Sequence, residues 1–237
     1  MIRRRWIADE VSGNRAALTG DHADHLIRVL RARVGQEFDL VTDLDVRRGR
    51  VVTIGEGRVD FELGETVPAI AALNVTLLLA IFKFDRMEWA IEKCTELGVS
   101  RIVPVVTRRT DAHLASAATK RSERWRRIAL QAAEQSRRAA PPEISSLIKL
   151  PQAATLSGAL RIVLAESERQ ILLRDVLDSN AAMGETLLAV GPEGGWTADE
   201  LVVFQNAGWI SASLGSTILR AETAAIAATA IVVSGLA

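Results

Sequence analysis

Several residue types are scarce in this chain of 237 residues, and each scarcity excludes a class of protein. The one cysteine, Cys94, excludes a disulfide scaffold and a cysteine-rich zinc site. The three histidines, His22, His25 and His113, lack the spacing of a metal-binding set, and no H-E-x-x-H motif occurs, so no metal is expected. Tyrosine is absent and aromatic residues make up 4%, which leaves few platforms on which bases could stack.

Long apolar runs are missing as well. The longest, residues 224–237, spans 14 positions and is interrupted by Thr229, Ser234 and Gly235, whereas a membrane-spanning helix needs roughly 20 apolar residues. We therefore expect a buried helix there and no membrane segment. Hydrophobic residues make up 49% and charged residues 24%, which excludes an intrinsically disordered chain. The single cysteine and the lack of a secretory segment after Met1 favour a cytoplasmic protein.

The net charge is zero, since 29 basic residues balance 29 acidic ones, but the charges are distributed unevenly. Residues 71–138 carry 13 basic and 7 acidic residues, whereas residues 139–237 carry 5 and 10. This asymmetry indicates that a polyanion contacts the middle of the chain rather than its C-terminal third.

Two patterns divide the chain near residue 70. Residues 1–70 contain short strand-like stretches separated by glycines, which predict a small β-barrel or sandwich with one helix at 21–31. In residues 71–237, strands such as the mostly apolar run 75–82 alternate with helices, which predicts an α/β domain with a mostly parallel sheet. The boundary is expected at Pro68 and the alanine-rich segment after it.

A Gly-Pro-Glu-Gly-Gly loop at 191–195 follows the strand predicted at 186–190 and leads into a helix that begins at Thr197. Ligands of parallel sheets collect at the carboxyl ends of strands, and glycines let a ligand approach the backbone. The loop matches neither Walker A nor the G-x-G-x-x-G fingerprint, and Glu193 would repel a phosphate, so a cationic or neutral ligand fits better. A tight strand-to-helix turn without a ligand is the alternative.

Glutamates occur in the segments that follow three of the predicted strands, namely Glu166, Glu193 and Glu222. If these strands are neighbours, the three carboxylates converge on one pocket. Each glutamate taken alone is better explained as a solvated or helix-capping group.

The strongest basic signal lies in residues 101–138, which carry ten basic and three acidic residues and include a helix predicted at about 120–138. Lys120, Arg124, Arg127 and Arg138 share one face, and Trp125 lies on an apolar face. Such a cationic stripe suits a nucleic-acid backbone. An amphipathic surface helix with salt bridges explains the pattern equally well.

Seven short motifs are distributed along nearly the whole chain, at residues 25–31, 83–88, 93–99, 134–138, 191–195, 214–215 and 218–224. Together they resemble the RsmE family of 16S ribosomal RNA uridine-N3 methyltransferases, which belongs to the SPOUT superfamily. The chain departs from the family pattern at Ser216 and Thr217, where Pro-Arg is usual.

The resemblance implies a PUA-like RNA-binding β-barrel at 1–70 and a SPOUT methyltransferase domain at 71–237. A deep trefoil knot within about residues 161–237 is expected, one of the rare exceptions to unknotted chains. The resemblance further implies S-adenosylmethionine as the methyl donor, 16S rRNA of the small ribosomal subunit as the partner, and a homodimer with its active site near the subunit interface.

Site residues follow from the matching positions and from the basic clusters. The expected donor-binding residues are Leu164, Ala165, Glu166, Gly191, Pro192, Glu193, Gly194, Gly195, Leu214, Gly215, Ile218, Leu219 and Arg220. The expected RNA contacts are Arg3, Arg4, Arg5, Arg28, Arg31, Arg33, Lys83, Arg124, Arg127, Arg137 and Arg138.

The chemistry of the implied reaction agrees with these residue types. A positively charged sulfonium suits a pocket with three carboxylates. Methylation of uracil at N3 requires a base for the ring proton and a group that stabilises the uracil anion, and we assign these catalytic tasks to Glu222 and Arg220. Two alternatives stay open: a non-catalytic RNA-binding ribosome-assembly factor of the same fold, which the change at Ser216 and Thr217 favours, and a SPOUT methyltransferase acting at another RNA position.

Overall fold

The computed structural model describes residues 5–42, 45–67, 74–136, 138–180 and 184–236. The chain forms two compact units, one of Met1–Ala71 with Ala133–Ala140 and the other of Ala72–Ala132 with Pro141–Ala237. Residues 133–140 therefore group with the N-terminal part, which the sequence pattern did not indicate. The boundary predicted at Pro68 and the segment after it lies outside the described residues.

The first unit is built on a six-stranded sheet. Its strands are β1 (Arg5–Ile7), β2 (Glu10–Ser12), β3 (Arg15–Thr19), β4 (Glu37–Val41), β5 (Val46–Gly55) and β6 (Arg58–Thr66). They lie in the order β1-β4-β5-β6-β3-β2, and only the β1–β4 pair is parallel. Trp6, Leu18, Phe38 and Phe61 are buried in its core, which fits a small barrel-like domain.

The helix predicted at 21–31 is shorter and divided. Helix α1 (Gly20–Asp24) continues into a π-helical segment, His25–Val29, and Arg31 lies beyond it at a φ of +52°. A positive φ is incompatible with a right-handed helix, so the helix ends before this residue.

The second unit confirms the predicted α/β fold with a parallel sheet. Its strands are β7 (Val75–Ala80), β8 (Arg101–Val106), β9 (Glu143–Ile144), β10 (Ile148–Lys149), β11 (Leu160–Leu164), β12 (Thr186–Val190) and β13 (Ile210–Ala212). All pairings between them are parallel, in the order β10-β8-β7-β12-β11-β13, and β9 pairs with β8. The helices are α2 (Phe84–Leu97), α3 (Ala112–Gln135), α4 (Leu150–Ala154), α5 (Leu173–Ser179), α6 (Ala198–Asn206) and α7 (Ala221–Leu236).

Helices cover both faces of this sheet. Alternate residues of β7 point to opposite faces, so Leu77 packs against α2, α3 and α7 while Leu78 packs against α4 and α6. The expected buried C-terminal helix is α7, whose Ala225, Ala228 and Val232 are buried. Among the described residues, no helix combines the length and the apolar character that crossing a membrane requires.

Helix α3 begins eight residues before the predicted start. Its N-terminus is capped by Asp111, whose carboxylate accepts the backbone N–H groups of His113 at 2.8 Å and Leu114 at 3.4 Å. An acidic side chain in this position satisfies N–H groups that have no partner within the helix and allows it to start there.

Candidate functional site

The carboxyl ends of β12, β11 and β13 lie side by side at one edge of the parallel sheet. The segments after these strands enclose a cavity of about 520 Å³, which residues 164–169, 190–193, 195–196 and 212–219 line together with Arg109, Leu172, Leu201, Ala221 and Ala224. Small-molecule sites have volumes of about 300–1,000 Å³. The three strands are thus neighbours, which is the condition for their loops to converge.

The indole of Trp196 joins two of these loops. Its Nε1–H donates to the carbonyl oxygen of Leu164 at 2.8 Å, and the ring lies so close to Gly191 that a β-carbon there would be 3.2 Å from it. The N–H of Gly195 donates to the carbonyl of Pro192 at 2.8 Å and closes the turn. Glycine at 191 therefore lets the indole pack against the loop and hold it next to β11.

Glu200 connects the start of α6 to the loop after β8. Thr197 and Glu200 form a capping box, in which the Glu200 carboxylate accepts the N–H of Thr197 at 2.8 Å. The same buried carboxylate accepts the N–H of Arg108 at 2.7 Å. The next residue, Arg109, donates from its guanidinium to the carbonyl of Gly194, so the loop after β8 becomes part of the cavity wall.

Two of the three glutamates predicted to converge are connected by an arginine. Arg86, on α2, lies 3.0 Å from a carboxylate oxygen of Glu193 and 3.8 Å from one of Glu222. Glu222 is 3% exposed, and its Oε2 has no hydrogen-bond partner among the described residues. Glu166 and Glu193 line the cavity, whereas Glu222 lies outside its lining and behind this ion pair.

A further glutamate, Glu168, serves the backbone of its own loop. Its carboxylate accepts the N–H groups of Gln170 at 2.8 Å and Ile171 at 3.1 Å. These hydrogen bonds favour the ionised form and lower the pKa of Glu168 below its ordinary value.

The structure brings together most of the predicted donor-binding residues. All of them line the cavity except Gly194, which contacts Arg109 at its edge, and Arg220, which is exposed. Ser216 and Thr217, where the chain departs from the family pattern, line the cavity as well.

Comparison with known proteins shows the family to which the chain belongs. A family model described as an RNA methyltransferase domain matches residues 70–233. The chain is 33% identical over 219 residues to the ribosomal RNA small subunit methyltransferase E of Rickettsia conorii, an alignment that covers 90% of this chain and 87% of that protein. The chain belongs to this family. The resemblance read from the motifs is thereby confirmed.

Solved structures of similar proteins cover nearly the whole chain. The crystal structure of ribosomal RNA small subunit methyltransferase E from Neisseria gonorrhoeae, bound to S-adenosyl methionine, has a TM-score of 0.85 and 30% identity, with 97% of this chain and 96% of that one covered. A putative methyltransferase from Legionella pneumophila, in complex with the same cofactor, has a TM-score of 0.83 and 26% identity and covers 98% and 96%.

The sequence predicted a capping box of Thr197 and Glu200, which the structure confirms, but it indicated no role at the cavity for Glu200, Arg86 or Arg109. The signal for Arg109 was present, because it follows the end of the predicted strand 101–106 in the same way as the three loops follow theirs. Arg86 lies within the motif 83–88 that carried the resemblance, but its partners are 107 and 136 positions away in the sequence.

The side chains predicted to contact RNA differ in whether they are exposed and whether they already form ion pairs. The side chains of Arg28, Arg31, Arg33, Lys83 and Arg127 are exposed. Arg124 pairs with Glu88 at 2.7 Å, which raises the pKa of Arg124 above its ordinary value, and Arg121 shares the same carboxylate at 3.3 Å. This part of α3 has the salt bridges that the alternative interpretation of a surface helix predicted.

Of the other predicted RNA contacts, Arg5 and Arg138 are half-buried, and burial lowers the pKa of Arg138. Arg3, Arg4 and Arg137 lie outside the described residues. Over the described ranges, no three His, Cys, Asp or Glu side chains are grouped so that they could hold a metal ion.

Proposed function

We propose that this protein transfers the methyl group of S-adenosylmethionine to N3 of a uridine in the 16S ribosomal RNA of the small ribosomal subunit. The observation that carries the proposal is the cavity at the carboxyl ends of β11, β12 and β13, in a chain of this methyltransferase family. The similar Neisseria gonorrhoeae protein is bound to S-adenosyl methionine, which supports the choice of donor.

The cavity suits the donor in volume and in charge. Three glutamates and two arginines line it, so a cation is favoured there. Gly195 and Gly215, with φ values of +69° and +127°, carry no side chain of their own, which lets a ligand approach their backbone. We propose that the cavity-lining members of the predicted donor set hold S-adenosylmethionine, which supplies a methyl carbon on a positively charged sulfur.

Finer features of the fold belong to the same proposal. We propose that the first unit is a PUA-like RNA-binding domain, that the chain between about residues 161 and 237 is knotted, and that two copies form a homodimer. A cytoplasmic location follows from the proposed substrate. The family membership and the parallel sheet support these features.

The catalytic roles assigned to Arg220 and Glu222 stay predictions. Arg220 is exposed, and the carboxylate of Glu222 is buried beside Arg86. From this position Glu222 can act on the cavity through Arg86, which binds Glu193 of the Gly191–Gly195 loop.

Exposed arginines of α3 are proposed to hold the RNA backbone. Arg127 is exposed, and among the described residues no partner occupies its guanidinium, whereas Arg124 is paired with Glu88. We expect Arg127→Ala to weaken RNA binding and to reduce the salt slope by about one unit, and Arg124→Ala to have a smaller effect. An unchanged salt slope in Arg127→Ala would show that Arg127 is an ordinary surface charge that does not contact the RNA.

The test of the function is methylation of small-subunit RNA, followed by mass spectrometry of the nucleosides. We expect 3-methyluridine that depends on S-adenosylmethionine. Tight RNA binding without any methylated nucleoside would favour the ribosome-assembly factor, for which the change at Ser216 and Thr217 speaks. A different methylated nucleoside would instead show a methyltransferase acting at another RNA position.

A further inference from the structure

Five charged side chains line the cavity, and they differ in what they already bind. They are Arg109, Glu166, Glu168, Arg169 and Glu193. Glu193 is paired with Arg86, and Glu168 binds the backbone of its own loop. Within the described part of the chain, Glu166 makes no ion pair and no side-chain hydrogen bond, so its carboxylate is available to a ligand.

Arg109 is presented to the cavity by a well-bonded turn. The Thr110 hydroxyl accepts the N–H of Thr107 at 3.0 Å, and Glu200 accepts the N–H of Arg108 at 2.7 Å. The guanidinium of Arg109 donates from one Nη to the carbonyl of Gly194. Because a guanidinium has five N–H donors, most of them stay open to a ligand.

Glu166 and Arg109 approach each other at Gly195. A β-carbon on Gly195 would lie 3.7 Å from Oε2 of Glu166 and 3.9 Å from Nη1 of Arg109. Since Gly195 has no side chain, the space between the carboxylate and the guanidinium stays open to the cavity that both residues line.

We infer that Glu166 and Arg109 bind the acceptor base, with Glu166 taking the N3 proton and Arg109 stabilising the negative charge that develops on the adjacent carbonyl oxygen. The inference rests on the proposed function, since it takes N3 of uridine as the acceptor. It gives Glu166 a task toward the base in place of the donor contact that the resemblance implies. It also gives this pair the roles predicted for Glu222 and Arg220.

Uracil suits this pair because its N3–H donor stands beside a carbonyl acceptor, which complements a carboxylate next to a guanidinium. The N3 proton passes to Glu166, the N3 electron pair forms the bond to the methyl carbon, and the carbon–sulfur bond breaks with its electron pair left on sulfur. Cytosine has an acceptor at N3 beside an amino donor. Its N3 would therefore face the Glu166 carboxylate, which is also an acceptor, and its amino group would face the Arg109 guanidinium, which is also a donor. The pair therefore selects uracil as well as activating it.

Glu166→Gln tests the proton transfer. We expect the single-turnover rate at saturating S-adenosylmethionine to fall about 100-fold, as the loss of a general base does. RNA with 5-fluorouridine in place of uridine should recover about tenfold of that rate relative to wild type, because fluorine makes the N3 proton more acidic. Glu143→Gln, at an exposed glutamate that does not line the cavity, is the matched control and should show neither effect.

Arg109→Met and Arg109→Lys test base recognition without turnover. Wild-type protein loaded with S-adenosylhomocysteine should bind RNA containing the target uridine about tenfold more tightly than RNA with cytidine there. Arg109→Met should abolish this difference, and Arg109→Lys should keep part of it. Arg174→Met, at an exposed position of α5, is the matched control and should keep all of it.

The possible outcomes separate this inference from the proposed function. A wild-type protein that makes no 3-methyluridine overturns the proposed function, whereas an active wild type whose Glu166→Gln variant keeps its rate overturns the inference alone. Calorimetry with S-adenosylhomocysteine should give a Kd within about threefold of wild type for Glu166→Gln. A larger loss of affinity without rescue by 5-fluorouridine also overturns the inference, because the carboxylate then serves the donor.

Discussion

At the amino edge of the parallel sheet, charged and polar side chains bind one another, whereas at the carboxyl edge, within the described residues, Glu166 binds no side chain and Arg109 binds only a backbone carbonyl. The hydroxyl of buried Thr76 donates to Glu185 at 2.5 Å, and Arg101 donates to Thr76 at 3.2 Å and to Glu185 at 3.4 Å. At the other edge, Glu166 and Arg109 flank an open space.

This difference between the two edges distinguishes polar groups that stabilise the fold from polar groups that remain available to a ligand. Groups that satisfy each other stabilise the folded chain. Polar groups that lack a full set of partners lower the stability of the fold. Proteins nevertheless keep such groups at sites where function requires them. At the carboxyl edge the supporting contacts come from other residues, namely Trp196, Glu200 and Arg86, so the cavity is held open without the use of Glu166.

The largest effect is expected from filling the open space at the carboxyl edge. In Gly195→Leu the side chain enters the cavity from the glycine loop that is proposed to hold the donor, and it also fills the space between Glu166 and Arg109. We expect calorimetry to show that the Kd of S-adenosylhomocysteine rises by at least about 100-fold, which corresponds to about 2.7 kcal/mol. The positive φ of +69° at Gly195 adds about 1–2 kcal/mol of backbone strain.

Gly13→Leu separates the two effects. Gly13 has a φ of +58° in the turn between β2 and β3, and a β-carbon there would meet nothing within 4 Å. This variant should therefore show a comparable loss of thermal stability and an unchanged Kd. If both variants lost affinity alike, the loss would come from strain, and the open space at Gly195 would not be a ligand site.

The next effect concerns a residue that supports the carboxyl edge. Glu200→Ala removes the capping box of α6 and leaves the N–H of Arg108 without its acceptor, so we expect the second unit to lose about 2 kcal/mol in its free energy of unfolding. Urea denaturation followed by tryptophan fluorescence measures this, because four of the five tryptophans lie in that unit. Glu123→Ala, at an exposed position of α3, should cost no more than about 0.5 kcal/mol. Equal losses would show that Glu200 does not support the edge.

Hydrophobic periodicity predicted the alternation of strands and helices in residues 71–237 and the parallel sheet, but not the short elements β9, β10 and α4. The run at 75–82 has the length and apolar character of a buried strand, and β7 occupies its first six residues. The start of α3 was missed because the cap at Asp111 was not recognised in a segment with little apolar periodicity. The end of the helix predicted at 21–31 was placed too late because it depends on the backbone conformation at Arg31.

Site residues in the segments that directly follow a strand could be predicted from the sequence. Site residues that reach the cavity only because of the order of the strands in the sheet could not. Glutamates follow β11, β12 and β13 as the sequence pattern indicated, and the two in the loops after β11 and β12 line the cavity, whereas Glu222 lies in the first turn of α7. Arg109 follows β8, which is separated from β12 by β7, and no local pattern reveals that order. The ion pairs of Arg86 likewise depend on where α2 and α7 pack, which is a property of the tertiary structure.

A smaller effect is expected at the amino edge. Thr76→Val keeps the shape of the side chain and removes the hydroxyl that donates to Glu185 and accepts from Arg101. The second unit should lose about 1 kcal/mol in its free energy of unfolding. The Kd of S-adenosylhomocysteine should stay the same, since Thr76 lies at the opposite end of the strands. A change in Kd of more than about threefold would break the distinction between the two edges.

The smallest effect distinguishes two glutamates of one cavity loop. Backbone N–H groups lower the pKa of Glu168 below 4.5, so its ionised form stabilises the folded chain above that pH, and this contribution is lost as the pH falls through the folded-state pKa. Glu168→Gln should therefore cost up to about 0.5 kcal/mol at neutral pH and nothing in more acidic solution, because solvent screens an exposed carboxylate. At neutral pH, Glu166→Gln should cost nothing measurable, because this carboxylate makes no hydrogen bond or ion pair within the described residues. Urea denaturation at pH 7 compares the two variants, and its repetition at pH 3 tests Glu168→Gln. A loss in Glu166→Gln at pH 7 as large as that in Glu168→Gln would mean that the Glu166 carboxylate also stabilises its loop instead of being left for the acceptor base.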